Sequence, residues 1–147
     1  MSLEIIGRYQ HLRSCSIPLF YDRVAAGFPS PAQDYIEQTL DLNELCIQHP
    51  AATYFVRAEG DSMIEAGIFS GDILIVDRAL KATHGDTVIA CLDGGFTVKQ
   101  LSLQPSIALR ACNPAYKDIA IPEGADLELF GVVTTVIHPL RPKGSVS

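Results

Sequence analysis

From Tyr54 to His138 the chain is cut into short runs of β-branched and aromatic residues, each bounded by Gly, Asp, Pro or Asn. No other feature constrains the fold as strongly. Tyr54-Phe55-Val56-Arg57-Ala58 has the residue types of a strand. Asp72-Ile73-Leu74-Ile75-Val76-Asp77 is an apolar run closed by Gly71 and by charge, the pattern of a buried strand. Thr87 to Leu92 and Phe96 to Leu101 form two further candidates. Asp93-Gly94-Gly95 between them supplies the positive φ values of a tight hairpin turn. Ile107 to Cys112, Ile119 to Ile121 and Leu127 to His138 complete the series. Strands at this spacing, with few helices between them, predict a compact, mostly-β domain.

Residues 1–50 read differently. Pro18, Pro29, Pro31 and Pro50 interrupt them, and proline disfavours both helix interiors and central strands. This region is expected to be an irregular or weakly helical, flexible N-terminal arm. A short helix is expected from Ala32 to about Leu40 and a helical turn around Leu42 to Ile47. At 147 residues the chain is the size of one domain. The expected division is an arm over 1–50, a body over 51–140 and a flexible tail over 141–147.

Several function classes lose support at this level. The net charge is −6 and no run of Lys or Arg occurs, so sequence-specific DNA binding has no electrostatic footing. Cys15, Cys46, Cys91 and Cys112 stand far apart without a C-x-x-C pair, which argues against a zinc site. They read as reduced thiols, and no metal or cofactor is expected. Met1 to Ser16 lacks the apolar core of a signal peptide. No apolar run approaches the ~18 residues that span a bilayer. A cytoplasmic location without membrane contact is the expectation.

Two residues in the body carry possible chemistry. Ser62 sits in Gly60-Asp61-Ser62-Met63, where a strand gives way to a turn. Ser62-Met63-Ile64-Glu65 fits a helix-capping box, a purely structural use of the hydroxyl. The same geometry presents a hydroxyl beside free backbone donors, which suits a nucleophile. A serine needs a base to take its proton. His11, His49, His84 and His138 show no triad context. Lys99 is the other candidate, on a strand face with Thr97 and Leu101. As an exposed strand lysine it would do nothing. Buried, it would lose its charge: its ordinary pKa of ~10.4 would have to fall to roughly 7–8 for general-base work. Upstream lies a small-residue bond, Ala26–Gly27, in Val24-Ala25-Ala26-Gly27-Phe28. Nucleophile, base and substrate thus sit on one chain.

These segments resemble a known family. Gly60-Asp61-Ser62-Met63, Gly71-Asp72, Gly85-Asp86 and Phe96-Thr97-Val98-Lys99 are similar to the protease domain of LexA-type repressors. Phe28-Pro29-Ser30-Pro31-Ala32, Ile47-Gln48-His49-Pro50 and Gly131-Val132-Val133 bring the chain closer to the UmuD branch of that family. The resemblance runs from about Pro18 to His138. It implies a signal-peptidase-like β fold in which Ser62 is the nucleophile and Lys99 the base. The backbone N–H groups of Ser62 and Asp61 would hold the oxyanion. Ala26–Gly27 would be the scissile bond, flanked by Val24, Ala25 and Phe28. The UmuD branch more often carries Cys before that Gly, and here the chain departs.

The resemblance further implies stimulation by RecA filaments on single-stranded DNA. It implies a shortened, homodimeric form of residues 27–147 that joins a UmuC-type polymerase in translesion synthesis. With 26 residues before Gly27, the DNA-binding domain of a LexA repressor is not expected, nor is direct operator binding. Two other readings compete with self-cleavage. One is a binding module for a polymerase or RecA that performs no proteolysis. The other is a signal-peptidase-like enzyme, which would need a membrane anchor.

Overall fold

The hairpin turn between the sixth and seventh strands sets the register of the molecule's centre. In the computed structural model, which describes residues 2–8, 16–20 and 36–141, Leu92 pairs with Gly95 across a two-residue loop. Asp93 has φ +48° and Gly94 φ +80°. Two successive positive φ values match the right-handed twist of the flanking strands, and Gly reaches them without a Cβ clash.

Ten strands are described: β1 Ser2–Arg8, β2 Ser16–Phe20, β3 Ile36–Asp41, β4 Thr53–Glu59, β5 Ile73–Asp77, β6 Thr87–Leu92, β7 Gly95–Ser102, β8 Ala108–Arg110, β9 Ile119–Ala120 and β10 Glu128–Ile137. Eight form one antiparallel sheet in the order β1-β4-β5-β10-β6-β7-β8-β9. Ser2 also pairs with Thr97, so β1 bridges β4 to β7 and closes part of the sheet on itself. The strands from β4 onward fall where the apolar runs place them, and the fold is mostly β.

The N-terminal part departs from expectation. Its described residues include three strands, where the prolines suggested an irregular arm. β1 joins the main sheet by pairing with β4 from Ser2↔Glu59 to Arg8↔Tyr54. β2 and β3 form a separate two-stranded ladder. Pro18 lies in β2 opposite Thr39, and a two-stranded ladder has only edge strands, which tolerate proline. Residues 36–40, expected to be helical, are extended because pairing with β2 satisfies their backbone and overrides a weak helix preference. The helical turn near Leu42 is present as α1, Leu42–Cys46, started by Asn43 N–H donating to Asp41 Oδ1 at 2.9 Å.

Apolar side chains fill both faces of the central strands. Val56, Ala58, Met63, Ile68, Leu74, Val76, Ile89 and Val98 form one cluster, and Leu3 of β1 packs against it. Val88, Ala90, Leu101, Leu109 and Val132 form a second, under β8 and β9. Burial on two faces explains why β5 and β6 read as continuous apolar runs rather than alternating ones.

β10 threads between β5 and β6, and its register slips between Leu129 and Gly131. A Cβ on Gly131 would lie 2.7 Å from Val76 Cγ1 and 3.2 Å from the Asp77 carbonyl oxygen. Val76 is wholly buried and cannot yield freely. Gly131→Ala should therefore cost about 1–3 kcal/mol of stability, read as a lower urea midpoint at unchanged m-value.

Candidate active site

The site begins where β4 ends. Ala58 N–H donates to the Asp72 carbonyl at 2.9 Å, and Gly71 N–H donates to the Ala58 carbonyl at 2.7 Å. Gly60 N–H donates to Ser70 Oγ at 3.1 Å. These bonds turn the chain sharply after Glu59 and bring Ser62 inward, where it has no exposed surface. Met63 beside it anchors the turn in the first apolar cluster.

The capping use of Ser62 is not realised. The short 3₁₀ turn Ile64–Ala66 is preceded by Met63 and receives no side-chain cap. The Ser62 hydroxyl instead accepts from Lys99 Nζ at 3.3 Å.

Lys99 reaches the site from β7. It pairs with Val88, and Leu101 shares its face of the strand. It is 5% exposed, so it is not the surface lysine its sequence also allowed. Nζ further donates to Thr97 Oγ1 at 2.9 Å and to the Val98 carbonyl at 3.1 Å. Among the described residues no carboxylate lies within ion-pair distance of it. Burial without a counter-charge pushes its pKa below the ordinary lysine value. Deprotonated, the amine would keep two N–H groups for Thr97 and Val98 and turn its lone pair to the Ser62 hydroxyl, reversing the direction of that one bond. Cys112 lies nearby; burial raises its thiol pKa, and an ionised thiolate there would favour the charged lysine and so oppose the burial effect.

None of the described histidines replaces Lys99. His49 Nδ1 lies 2.6 Å from Asp77 Oδ2, and His138 Nδ1 lies 2.5 Å from Asp72 Oδ1. His84 Nδ1 accepts from Leu103 N–H at 2.9 Å. The amide N–H groups of Asp61 and Ser62 have no acceptor among the described residues. Val24, Ala25, Ala26, Gly27 and Phe28 lie outside the described residues. Thr97, in direct contact with the amine, carries a signal the sequence did offer, since residues two apart on a strand share a face.

A turn hydroxyl beside a buried amine of lowered pKa is an arrangement compatible with serine peptidases that use lysine in place of histidine. Family comparison agrees. Residues 18–134 match the Peptidase S24-like family, and the chain belongs to that family. It is 59% identical to protein SamA of Salmonella typhimurium strain LT2 over 139 residues, covering 95% of this chain and 97% of SamA. It is 56% identical to protein ImpA of Escherichia coli over 126 residues, covering 84% and 85%. With protein MucA of Escherichia coli it shares 44% over 143 residues, covering 95% and 98%. Among the described residues no helix is long and apolar enough to cross a membrane.

The lysine's environment predicts a pH signature in stability. The unfolded chain keeps the Lys99 proton up to about pH 10.4, whereas the folded chain gives it up earlier. Between those points unfolding takes up a proton, so stability rises with pH. Lys99→Met removes the titration at similar volume. Wild-type stability relative to K99M, from urea unfolding, should climb as the pH rises toward the ordinary lysine pKa of about 10.4 and level off above it. A pH-independent difference would contradict a buried amine of lowered pKa.

Proposed function

We propose that this protein is a self-cleaving serine peptidase that cuts its own Ala26–Gly27 bond, with Ser62 as nucleophile and Lys99 as base. The observation that carries this reading is the 3.3 Å contact between Lys99 Nζ and Ser62 Oγ with both groups buried. Neutral Lys99 takes the hydroxyl proton as Oγ attacks the Ala26 carbonyl carbon. The N–H groups of Ser62 and Asp61 receive the developing negative oxygen. As the intermediate collapses, the bond to Gly27 nitrogen breaks, and the lysine returns the proton to that leaving amine. An ester between Ser62 and Ala26 remains. Water, deprotonated by the same amine, then hydrolyses it and frees residues 27–147.

Tethering supports a modest catalyst. An arm on the same chain presents its bond at high effective concentration, so no evolved pocket for a diffusing substrate is required. Ser62 has no exposed surface, and attack requires the arm to lie against its turn. A RecA filament on single-stranded DNA would accelerate cutting by binding the seated form more tightly than the unseated one. The released form would dimerise and serve a UmuC-type polymerase in damage-induced translesion synthesis.

The purified chain, incubated over a pH series and analysed by mass spectrometry, should yield residues 27–147. The rate should rise with pH to a plateau reached below the ordinary lysine pKa, because only the neutral amine is a base. RecA, an ATP analogue and single-stranded DNA should give the same product near neutral pH. Ser62→Ala and Lys99→Ala should each lower the rate at least roughly a thousandfold. An intact chain under both conditions, or equal cutting by S62A, would reject the reading.

A further inference from the structure

The nucleophile turn is gripped from one side by the loop that follows β8. Cys112 N–H donates to the Ser62 carbonyl at 2.9 Å, and Glu65 N–H donates to the Cys112 carbonyl at 2.8 Å. Asn113 Nδ2 donates to the Asp61 carbonyl at 2.8 Å. The Tyr116 hydroxyl bonds Asp61 Oδ1. Asn113 is itself held, since its Oδ1 accepts from Ala115 N–H at 3.0 Å and its carbonyl accepts from Tyr116 N–H at 3.0 Å. Its amide therefore has both ends engaged, which fixes its orientation.

The peptide plane turns this grip into a chemical effect. In a trans peptide the carbonyl of one residue and the N–H of the next point in opposite directions within one rigid plane. A bond that holds the Asp61 carbonyl toward the loop therefore holds the Ser62 N–H away from it. Among the described residues the other donor to that carbonyl is Ile64 N–H, at a longer 3.4 Å. Without Asn113, the Asp61–Ser62 plane would be free to rotate about its flanking bonds, and the Ser62 N–H would lose its aim. Cys112 acts in the same way on the next plane, fixing the direction of the Met63 N–H through the Ser62 carbonyl.

We propose that Asn113 is a positioning residue for the cleavage reaction: by holding the Asp61 carbonyl it aims the Ser62 amide at the oxyanion. This rests on the proposed self-cleavage and adds to it the part that keeps the oxyanion donor preorganised. Asn113 touches no reacting atom, and its side chain needs no change of protonation.

The test compares full-length wild type with Asn113→Asp and Asn113→Ala. Aspartate keeps the acceptor for Ala115 N–H but cannot donate to the Asp61 carbonyl. Alanine removes the donor without adding charge. Both variants should cut Ala26–Gly27 roughly tenfold to a hundredfold more slowly than wild type. The midpoint of their pH–rate curves should stay at the wild-type position, because Lys99 is untouched. A variant whose site had merely loosened would hydrate Lys99 and move that midpoint upward.

A peptide aldehyde matching residues 21–26 supplies a second readout, since its hemiacetal with Ser62 mimics the tetrahedral state. It should lose affinity for both variants, while the matching carboxamide should bind as it does to wild type. Should N113D not fold, N113A carries the same expectations. Wild-type rates in both variants, an upward-shifted midpoint, or equal losses for aldehyde and carboxamide would each overturn the positioning role. A wild type that leaves the bond intact would instead reject the self-cleavage reading beneath it.

Discussion

Everything in this site depends on keeping one amine dry. Lys99 is 5% exposed with no carboxylate partner, an expensive placement for an ammonium ion. Burial shifts the balance toward the neutral form, and neutrality is what the proposed base would need. Stability and reactivity thus share one origin. Val88 pairs with it across the ladder and Leu101 shares its strand face, while Thr97 Oγ1 and the Val98 carbonyl accept from Nζ. An apolar side chain in that place would satisfy packing equally well, so the amine reads as a functional requirement placed on the fold rather than a contribution to it.

The sheet delivers the partners from distant parts of the chain. Ser62, just past the end of β4, and Lys99 of β7 are 37 residues apart, and among the described strands β4 and β7 are linked through β1 or the long way through β5, β10 and β6. The apolar cluster from Val56 through Met63 to Val98 sets the spacing between them. Side-chain contacts alone could not hold a 3.3 Å geometry; the closed ladder of backbone bonds does.

The strands from β4 to β10 were readable because each is a short apolar run between residues with a physical reason to turn, such as Asp93-Gly94. Ser62 and Lys99 stood out as candidates, but their sequence context alone left a helix cap and a surface lysine open. Burial and a direct contact decided both cases, and these are long-range properties. β1 was missed because its few apolar residues, Leu3, Ile5 and Ile6, gain their role only by lying against β4. Residues 36–40 read as helix because local preference cannot register a partner strand about twenty residues upstream. Asn113 and Tyr116 look like ordinary turn residues, and nothing nearby reveals that they meet Asp61, 52 and 55 positions earlier.

β1 carries a consequence of its own. It lies on the N-terminal side of Ala26–Gly27, while both strands it joins lie on the other side. Hydrolysis there would sever its covalent connection, leaving a short peptide retained by main-chain pairing and the Leu3 side chain. Its occupancy would then follow concentration instead of tether length. Once it departs, the margins of β4 and β7 display unsatisfied amides and carbonyls, which a strand from another polypeptide can complete. One cut would thus turn an edge that the chain covers for itself into an acceptor for foreign backbone.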